Sequence, residues 1–164
     1  MKITYIPTTL NKYTFKSNKI REWVEDRAKG RVLNLFAGKV KLFLNEYRVD
    51  VDNNMIADSY IDAYEFVKTC KDRYDTVLLD PPYAYRKAIE MYNGNYSSKF
   101  KLIADELTRI TDRVISFGYH STFMGKVRGY GLEELCVFGH GGAQHCTIAI
   151  IEIINTRGED EREM

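Results

Sequence analysis

Short segments with the apolar pattern of strands alternate with segments of helical periodicity over most of the chain. The strand-like segments are 31–36, 48–52, 74–80 and 113–119. Apolar residues recur at helical spacing in three further segments, which run from Ser17 (the expected N-cap) to about Gly30, from Asp62 to Cys70, and from Ser98 to Ile110. Because strands that alternate with helices pair mostly in parallel, the pattern predicts an α/β sheet.

The C-terminal part lacks this alternation. Two strand-like segments, 135–138 and 147–154, flank a glycine-rich stretch, 140–143, which predicts an antiparallel hairpin at one edge of the sheet. No internal repeat or break in composition divides residues 1–155, so we expect them to form a single domain. Residues 156–164 are charged and non-periodic, and we expect a disordered tail there.

The composition is that of a soluble globular protein, with 45% hydrophobic and 29% charged residues among 164. No apolar run approaches the roughly 20 residues that span a bilayer, and the N-terminus lacks the pattern of a signal peptide. The three cysteines show no CxxC spacing, which argues against a disulfide framework and against a zinc site. We therefore expect a cytoplasmic protein that binds neither a membrane nor a metal.

The charge is unevenly distributed. The whole chain carries +1, but its first 48 residues hold eleven basic and four acidic side chains, a local charge of +7. Such a patch can follow the phosphates of a nucleic acid. A solvated surface rich in lysine gives the same pattern, and the sequence leaves both interpretations open.

Polar or glycine-containing stretches follow each of the first three predicted strands. The first strand runs into residues 34–38 (Asn-Leu-Phe-Ala-Gly), the second ends near Asp50, and the third ends in 80–83 (Asp-Pro-Pro-Tyr), while Asp62 opens a helix. In an open α/β sheet, ligands bind outside the carboxyl ends of the parallel strands. We therefore expect these residues to surround one crevice.

The segment Asp80-Pro81-Pro82-Tyr83 is the sharpest chemical signal. The two prolines fix the backbone and remove two N–H donors, which leaves the Asp80 carboxylate and the Pro81 carbonyl as acceptors. Two acceptors suit an amino group, which has two N–H bonds to donate. Tyr83 adds an aromatic face on which a base can stack, an interaction worth roughly 1–3 kcal/mol.

These segments resemble the motifs of class I S-adenosylmethionine-dependent methyltransferases. The similarity is to the nucleic-acid amino-methyltransferases that carry Asp-Pro-Pro-Tyr or a close variant, and it spans about 15–154. It implies a Rossmann-like sheet with helices on both faces and S-adenosyl-L-methionine as the cofactor. The cofactor-binding residues that it implies are Phe15, Lys16, Asn34, Phe36, Ala37, Gly38, Asp50, Asp62, Ala63 and Asp80.

Within this resemblance, the acid after the second strand binds the ribose, and the acid that opens the next helix binds the adenine amino group. Asp50 is favoured over Asp52 for the ribose, and Asp62 over Asp58 for the adenine. The chain departs from the family at Asn34, where an acidic residue is usual. Val40 likewise replaces a second glycine.

The resemblance also implies the reaction, which is methylation of an exocyclic amino nitrogen of a nucleobase. Asp80, Pro81, Pro82 and Tyr83 would form the catalytic motif, and the walls of the base pocket would be Tyr83, Tyr85, Tyr119 and His120. Asp at the first motif position favours adenine N6, although the same motif occurs in enzymes that modify guanine N2 of ribosomal RNA.

The expected polymer is DNA, with RNA as the alternative. The chain leaves no room for a separate target-recognition domain, so it would use loops, a homodimer or a specificity partner, and segment 86–101 is the expected substrate loop. A third alternative is a catalytically silent subunit with a methyltransferase-like fold. The retained Asp80 and Tyr83 argue against it.

Overall fold

The computed structural model describes residues 1–81, 95–118, 122–142 and 144–155. The strands run Lys2–Pro7 (β1), Arg31–Leu35 (β2), Asn45–Asp50 (β3), Ser59–Tyr60 (β4), Thr76–Leu79 (β5), Arg113–Gly118 (β6), Tyr130–Gly139 (β7) and Thr147–Ile154 (β8). The α-helices described are Asn18–Arg27 (α1), Ala63–Thr69 (α2) and Asn95–Leu107 (α3). None of these helices is long and apolar enough to cross a membrane.

The described strands form one sheet in the order β1-β7-β8-β6-β5-β2-β3-β4. Strand β8 runs antiparallel to both of its neighbours, β6 and β7, and every other neighbouring pair is parallel. A mostly parallel sheet with an antiparallel C-terminal hairpin is the fold class that the sequence predicted. Every strand except β8 therefore points its carboxyl end toward the same edge.

Helices cover both faces of the sheet because residues along β2 alternate between two cores. Val32 faces a core that includes Trp23 and Val24 of α1. Leu33 and Leu35 face the opposite core, which contains residues from α2 and α3: Ala63, Val67, Ile103, Ala104 and Leu107. The sheet is thus buried on both sides, as its parallel strands require.

Two helices begin at the residues that the sequence indicated. The Ser17 hydroxyl accepts a hydrogen bond from the Ile20 amide at 3.4 Å, which caps α1. The Asp62 carboxylate accepts from the amides of Tyr64 and Glu65 at 3.0 and 3.3 Å, which caps α2. These side chains satisfy amides that have no partner within the helix.

The strands differ from the prediction at four places. Strand β3 was predicted over 48–52 but runs Asn45–Asp50, so it begins three residues earlier and ends two residues earlier. Strand β1 was not predicted, and it is an edge strand whose Ile3 and Tyr5 remain 63% and 65% exposed, so it leaves little burial pattern to detect. Strand β4 is only two residues long. Strand β7 begins five residues before the predicted segment, because an irregularity between Leu132 and Glu134 interrupts the alternation of its side chains.

Candidate active site

A cavity of about 900 Å³ opens at the carboxyl ends of β2, β3 and β5. Its lining includes nine of the residues that the sequence singled out: Phe15, Phe36, Ala37, Gly38, Asp50, Asp62, Ala63, Asp80 and Pro81. Their convergence follows from the topology, since parallel strands bring their last residues to one edge. The predicted crevice is therefore present.

The turn after β2 forms one wall of the cavity. Phe36 and Gly38 both have left-handed backbone, with φ of 62° and 66°. For a phenylalanine this conformation is strained, and such residues persist where the surroundings hold them in place. A side-chain carbon added at Gly38 would meet no atom within 4 Å, so the backbone of the turn is open to a ligand.

Asp50, the last residue of β3, holds this turn in position. Its Oδ2 accepts a hydrogen bond from the Gly38 amide and its Oδ1 accepts one from the Asp52 amide, both at 2.9 Å. Asp52 also lines the cavity, but its Oδ1 accepts from the amide and the side chain of Asn54 at 2.9 and 3.0 Å. Asp52 is thus engaged in a local turn, whereas Asp50 joins two strand ends.

The buried side chain of Arg48 also holds the turn after β2 in position. Arg48 is 3% exposed, and its guanidinium donates to the carbonyl oxygens of Ala37, Gly38, Val40 and Ile56 at 2.8 to 3.1 Å. Hydrogen bonds from a charged donor are stronger than neutral ones. The guanidinium therefore sets the orientation of the carbonyls on both sides of Gly38.

Glu46 links this arginine to Asn34. It pairs with Arg48 Nη1 through Oε1, and its Oε2 accepts from Asn34 Nδ2 at 3.1 Å. Asn34 is fully buried and is not among the described residues that line the cavity, and its Oδ1 has no hydrogen-bond partner within the described chain. An aspartate at this position would place a second buried carboxylate against Glu46, which accounts for the amide physically.

Asp62 combines a structural contact with a position on the cavity wall. Its Oδ1 caps α2, while its Oδ2 lies 3.6 Å from Lys99 Nζ of α3. Asp58, the weaker alternative, is not among the residues that line the cavity, and its Oδ2 accepts from the Arg48 amide at 2.8 Å. The geometry therefore favours Asp62 over Asp58 for contact with a ligand.

Asp80 and Pro81 follow β5 and line the cavity, Asp80 half-buried and Pro81 buried. The other members of the predicted catalytic motif and base pocket, Pro82, Tyr83, Tyr85, Tyr119 and His120, lie outside the described residues, as does most of segment 86–101. Phe15 is 4% exposed and packs edge-on against Phe117. Lys16 is exposed and is not among the described residues on the cavity wall.

Most of the opposite wall was not predicted. It consists of residues 9–14 and of four residues around the β7–β8 turn: His140, Gln144, His145 and Thr147. No motif of the sequence indicated a role for the two histidines, but His140 Nε2 hydrogen-bonds Thr147 Oγ1 at 2.8 Å within the cavity wall. The direction of β1 and β7 explains the placement, since both end at the edge where the cavity opens. If β1 had been recognised as a strand, the residues that follow it would have been placed at this edge of the sheet.

No protein-family model matches the chain, and no curated protein matches it. Solved methyltransferase structures do match. Magnesium protoporphyrin IX methyltransferase (ChlM) from Synechocystis PCC 6803, solved with S-adenosylmethionine bound, aligns with a TM-score of 0.58 at 12% identity and covers 84% of this chain and 77% of its own.

Two further structures are similar. TrmN from Thermus thermophilus aligns with a TM-score of 0.61 at 15% identity over 85% of this chain, which spans only 49% of TrmN. PH1948 from Pyrococcus horikoshii, described as a candidate RNA methyltransferase, aligns with a TM-score of 0.54 at 15% identity, covering 83% and 82% of the two chains. At these identities the likeness establishes the fold, which is the Rossmann-like fold of S-adenosylmethionine-dependent methyltransferases.

Proposed function

We propose that the chain is an S-adenosyl-L-methionine-dependent methyltransferase that modifies an exocyclic amino group of a nucleobase, with adenine N6 in DNA as the favoured target. One observation carries the proposal. Asp80 and Pro81 line the same cavity as the open turn at Gly38 and the acids Asp50 and Asp62. Acceptors for an amine and a place for a nucleoside-containing cofactor therefore share one space.

The residues present fit the cofactor. Gly38 leaves room for close approach to the backbone, and Asp50 offers carboxylate lone pairs beside it for ribose hydroxyls. Asp62 also lines the cavity and would accept a hydrogen bond from the adenine amino group, and Phe15 supplies apolar surface. The cofactor would supply an electrophilic methyl group on a sulfonium sulfur.

The chain's own residues would prepare the amine for attack. The lone pair of a nucleobase amino nitrogen is delocalised into the ring, which makes it a poor nucleophile. If the Asp80 carboxylate and the Pro81 carbonyl accept its two N–H bonds, the nitrogen is drawn toward tetrahedral geometry and its lone pair becomes available. The Asp80 charge also stabilises the positive charge that develops on nitrogen. Catalysis by these groups is orientation plus electrostatics.

The walls of the proposed base pocket lie outside the described residues, and Tyr83 is the first of them. Its place after two prolines favours stacking on the target base, with Tyr85, Tyr119 and His120 as further walls of the pocket. A base in a duplex would have to leave the stack to reach the cavity, at a cost of a few kcal/mol. An unpaired base avoids that cost and is the easier substrate.

RNA is the second candidate polymer. The similarity of fold to PH1948, which is described as a candidate RNA methyltransferase, supports it. Aspartate at the first motif position supports adenine. A homodimer or a separate specificity partner would extend the recognition surface for either polymer.

The test is methyl transfer from radiolabelled cofactor to DNA, transfer RNA and ribosomal RNA in separate reactions. We expect label in DNA, recovered as N6-methyladenine after digestion. Label in RNA alone would replace the favoured polymer with the alternative. Cofactor binding without label in any polymer would contradict the enzymatic proposal and favour a silent methyltransferase-like subunit.

A further inference from the structure

Three lysine ammonium groups surround one tyrosine ring beside the cavity. Nζ of Lys12, Lys16 and Lys39 lies 5.6, 5.4 and 5.9 Å, respectively, from the centroid of the Tyr13 ring. Lys12 and Lys16 belong to the segment after β1, and Lys39 follows Gly38 in the turn after β2. These four residues are called the Tyr13 cluster below. The fold thus brings three like charges together from two separate segments.

The cluster differs from half of the other eight cations among residues 1–48, because no carboxylate of the described residues neutralises its charges. Lys2 and Arg27 pair with Glu134, Arg31 pairs with Asp72, and Arg48 pairs with Glu46. Lys19 donates to the carbonyl of Pro7 and Arg21 to the side chain of Asn18. Within the described residues, no carboxylate pairs with Lys12, Lys16 or Lys39. Three positive charges that have no carboxylate partner in this part of the chain therefore lie close together at Tyr13.

The cluster extends from the cavity to the outer surface. Lys12, Tyr13 and Lys39 line the cavity, and Lys16 is exposed beyond it. The interior carries the opposite charge, from Asp50, Asp52, Asp62 and Asp80. An anionic chain passing this edge would meet the lysines, while an uncharged base could enter among the carboxylates.

The chemistry of the cluster favours a polyanion over the cofactor. The methionyl end of S-adenosylmethionine carries one carboxylate and one ammonium, so a single lysine can neutralise its carboxylate, and further cations would repel its ammonium. Consecutive phosphates of a nucleic-acid strand present several negative charges and match several lysines. The Tyr13 ring stabilises the ammonium groups through cation–π contacts in the absence of a ligand.

We infer that the Tyr13 cluster binds the sugar-phosphate backbone of the nucleic-acid strand whose base enters the cavity. This inference rests on the proposed function. Contacts to phosphate position a strand without reading its sequence. The cluster would therefore supply affinity and fix the register of the strand, while Asp80 and Pro81 select the amino group.

The experiment compares the wild type with the triple variant Lys12→Gln, Lys16→Gln, Lys39→Gln. Binding of a fluorescently labelled single-stranded oligonucleotide is followed by anisotropy from low to moderate salt. Each phosphate contact contributes about 0.7 to the slope of log K against log salt for a single strand, so the variant should lose about 2 from the slope. The charge-matched control is Lys2→Gln, Lys29→Gln, Lys71→Gln. It alters exposed lysines at the first residue of β1 and before β2 and β5, at the opposite edge of the sheet, and should keep the slope.

Calorimetry with S-adenosylmethionine distinguishes two possible ligands of the lysines, the phosphates of a nucleic acid and the carboxylate of the cofactor. We expect the control variant to bind the cofactor within about twofold of the wild type. An unchanged salt slope in the Tyr13-cluster variant, alongside wild-type methylation of nucleic acid, would overturn this inference and leave the proposed function standing. Lost cofactor affinity with an unchanged slope would assign the lysines to the cofactor carboxylate. A wild type that neither binds nor methylates nucleic acid would overturn both proposals.

Discussion

The Asp50 carboxylate accepts a hydrogen bond from the Gly38 amide at 2.9 Å, which ties the end of β3 to the turn that follows β2. One acid thus holds the backbone that a cofactor would approach and offers lone pairs at the same place. Because the Gly38 turn is left-handed and next to the strained Phe36, its position depends on contacts of this kind.

Replacing this acid is therefore expected to weaken cofactor binding. Asp50→Asn keeps one acceptor but loses the charge and the second carboxylate oxygen, so we predict a loss in S-adenosylmethionine affinity of about tenfold or more, or about 1.4 kcal/mol. Asp52→Asn is the matched control, since Asp52 Oδ1 already accepts from Asn54. Calorimetry measures both variants. A larger loss for Asp52→Asn would transfer the ribose role to Asp52.

Asp80 is predicted to act on the amine and not on the cofactor. Asp80→Ala removes an acceptor and the negative charge beside the reacting nitrogen, so methyl transfer should fall below detection while cofactor affinity stays within a few-fold. Asp80→Asn keeps an acceptor without the charge and should retain partial activity. Transfer assays and calorimetry on the same preparations distinguish the roles, and cofactor binding lost together with activity would assign Asp80 to the cofactor.

The buried pair of Asn34 and Glu46 predicts that an aspartate at position 34, which is usual in the methyltransferases that the sequence resembles, would destabilise this protein. Asn34→Asp puts two carboxylates in contact in the protein interior, and we expect it to lower the free energy of unfolding by on the order of 2 kcal/mol at pH 7. Adding Glu46→Gln restores a donor–acceptor pair and should recover part of the loss. Chemical denaturation of the single and double variants measures the coupling. A fully stable Asn34→Asp protein would contradict this explanation.

Tyr130 predicts how stability changes at high pH. Its hydroxyl is buried and donates to the Thr111 carbonyl, and burial, followed by the charge of Asp112, raises its pKa to about 12. Between pH 10 and 12 the unfolded chain releases this proton while the folded chain retains it. The stabilisation is therefore complete below pH 10 and is lost as the pH rises toward 12.

Because of this titration, the free energy of unfolding of the wild type should be about 1.4 kcal/mol lower at pH 11 than at neutral pH. Tyr130→Phe lacks the ionisable group, so it should be less stable than the wild type at pH 7 by about 1 kcal/mol, from the lost hydrogen bond. The difference should shrink or reverse at pH 11. Denaturant unfolding of both proteins at the two pH values measures it, and a constant difference would show that Tyr130 does not titrate as described.

The sequence identified the parts of the fold and site that depend on local pattern. Apolar runs revealed β2, β5 and β6, and the residues after β2, β3 and β5 revealed much of the cavity, because parallel strands bring their carboxyl ends together. Ser17 and Asp62 were recognisable as caps by residue type and position. These features need only the residues near them in the chain.

Features that depend on distant contacts were missed. Strand β1 is exposed on the sheet edge, and without it nothing indicated that residues 9–12 reach the cavity. No local pattern indicated a role for His140, because its neighbour Thr147 is identified only once β7 and β8 are paired. The reason for Asn34 lies in Glu46, across the β2–β3 pair, and no local pattern links the two.

The identity of the methylated atom is the most direct test of whether the protein methylates an exocyclic amino group of a nucleobase. The wild-type protein is incubated with S-adenosylmethionine carrying an isotopically labelled methyl group and with an acceptor polymer from the panel above, and the digested nucleosides are analysed by mass spectrometry with fragmentation. We expect the labelled methyl group on an exocyclic amino nitrogen with the wild-type protein, and no labelled nucleoside with the Asp80→Ala variant. Label on a ribose oxygen, a ring nitrogen or a ring carbon would contradict it, because two acceptors at Asp80 and Pro81 would then have no amino group to bind.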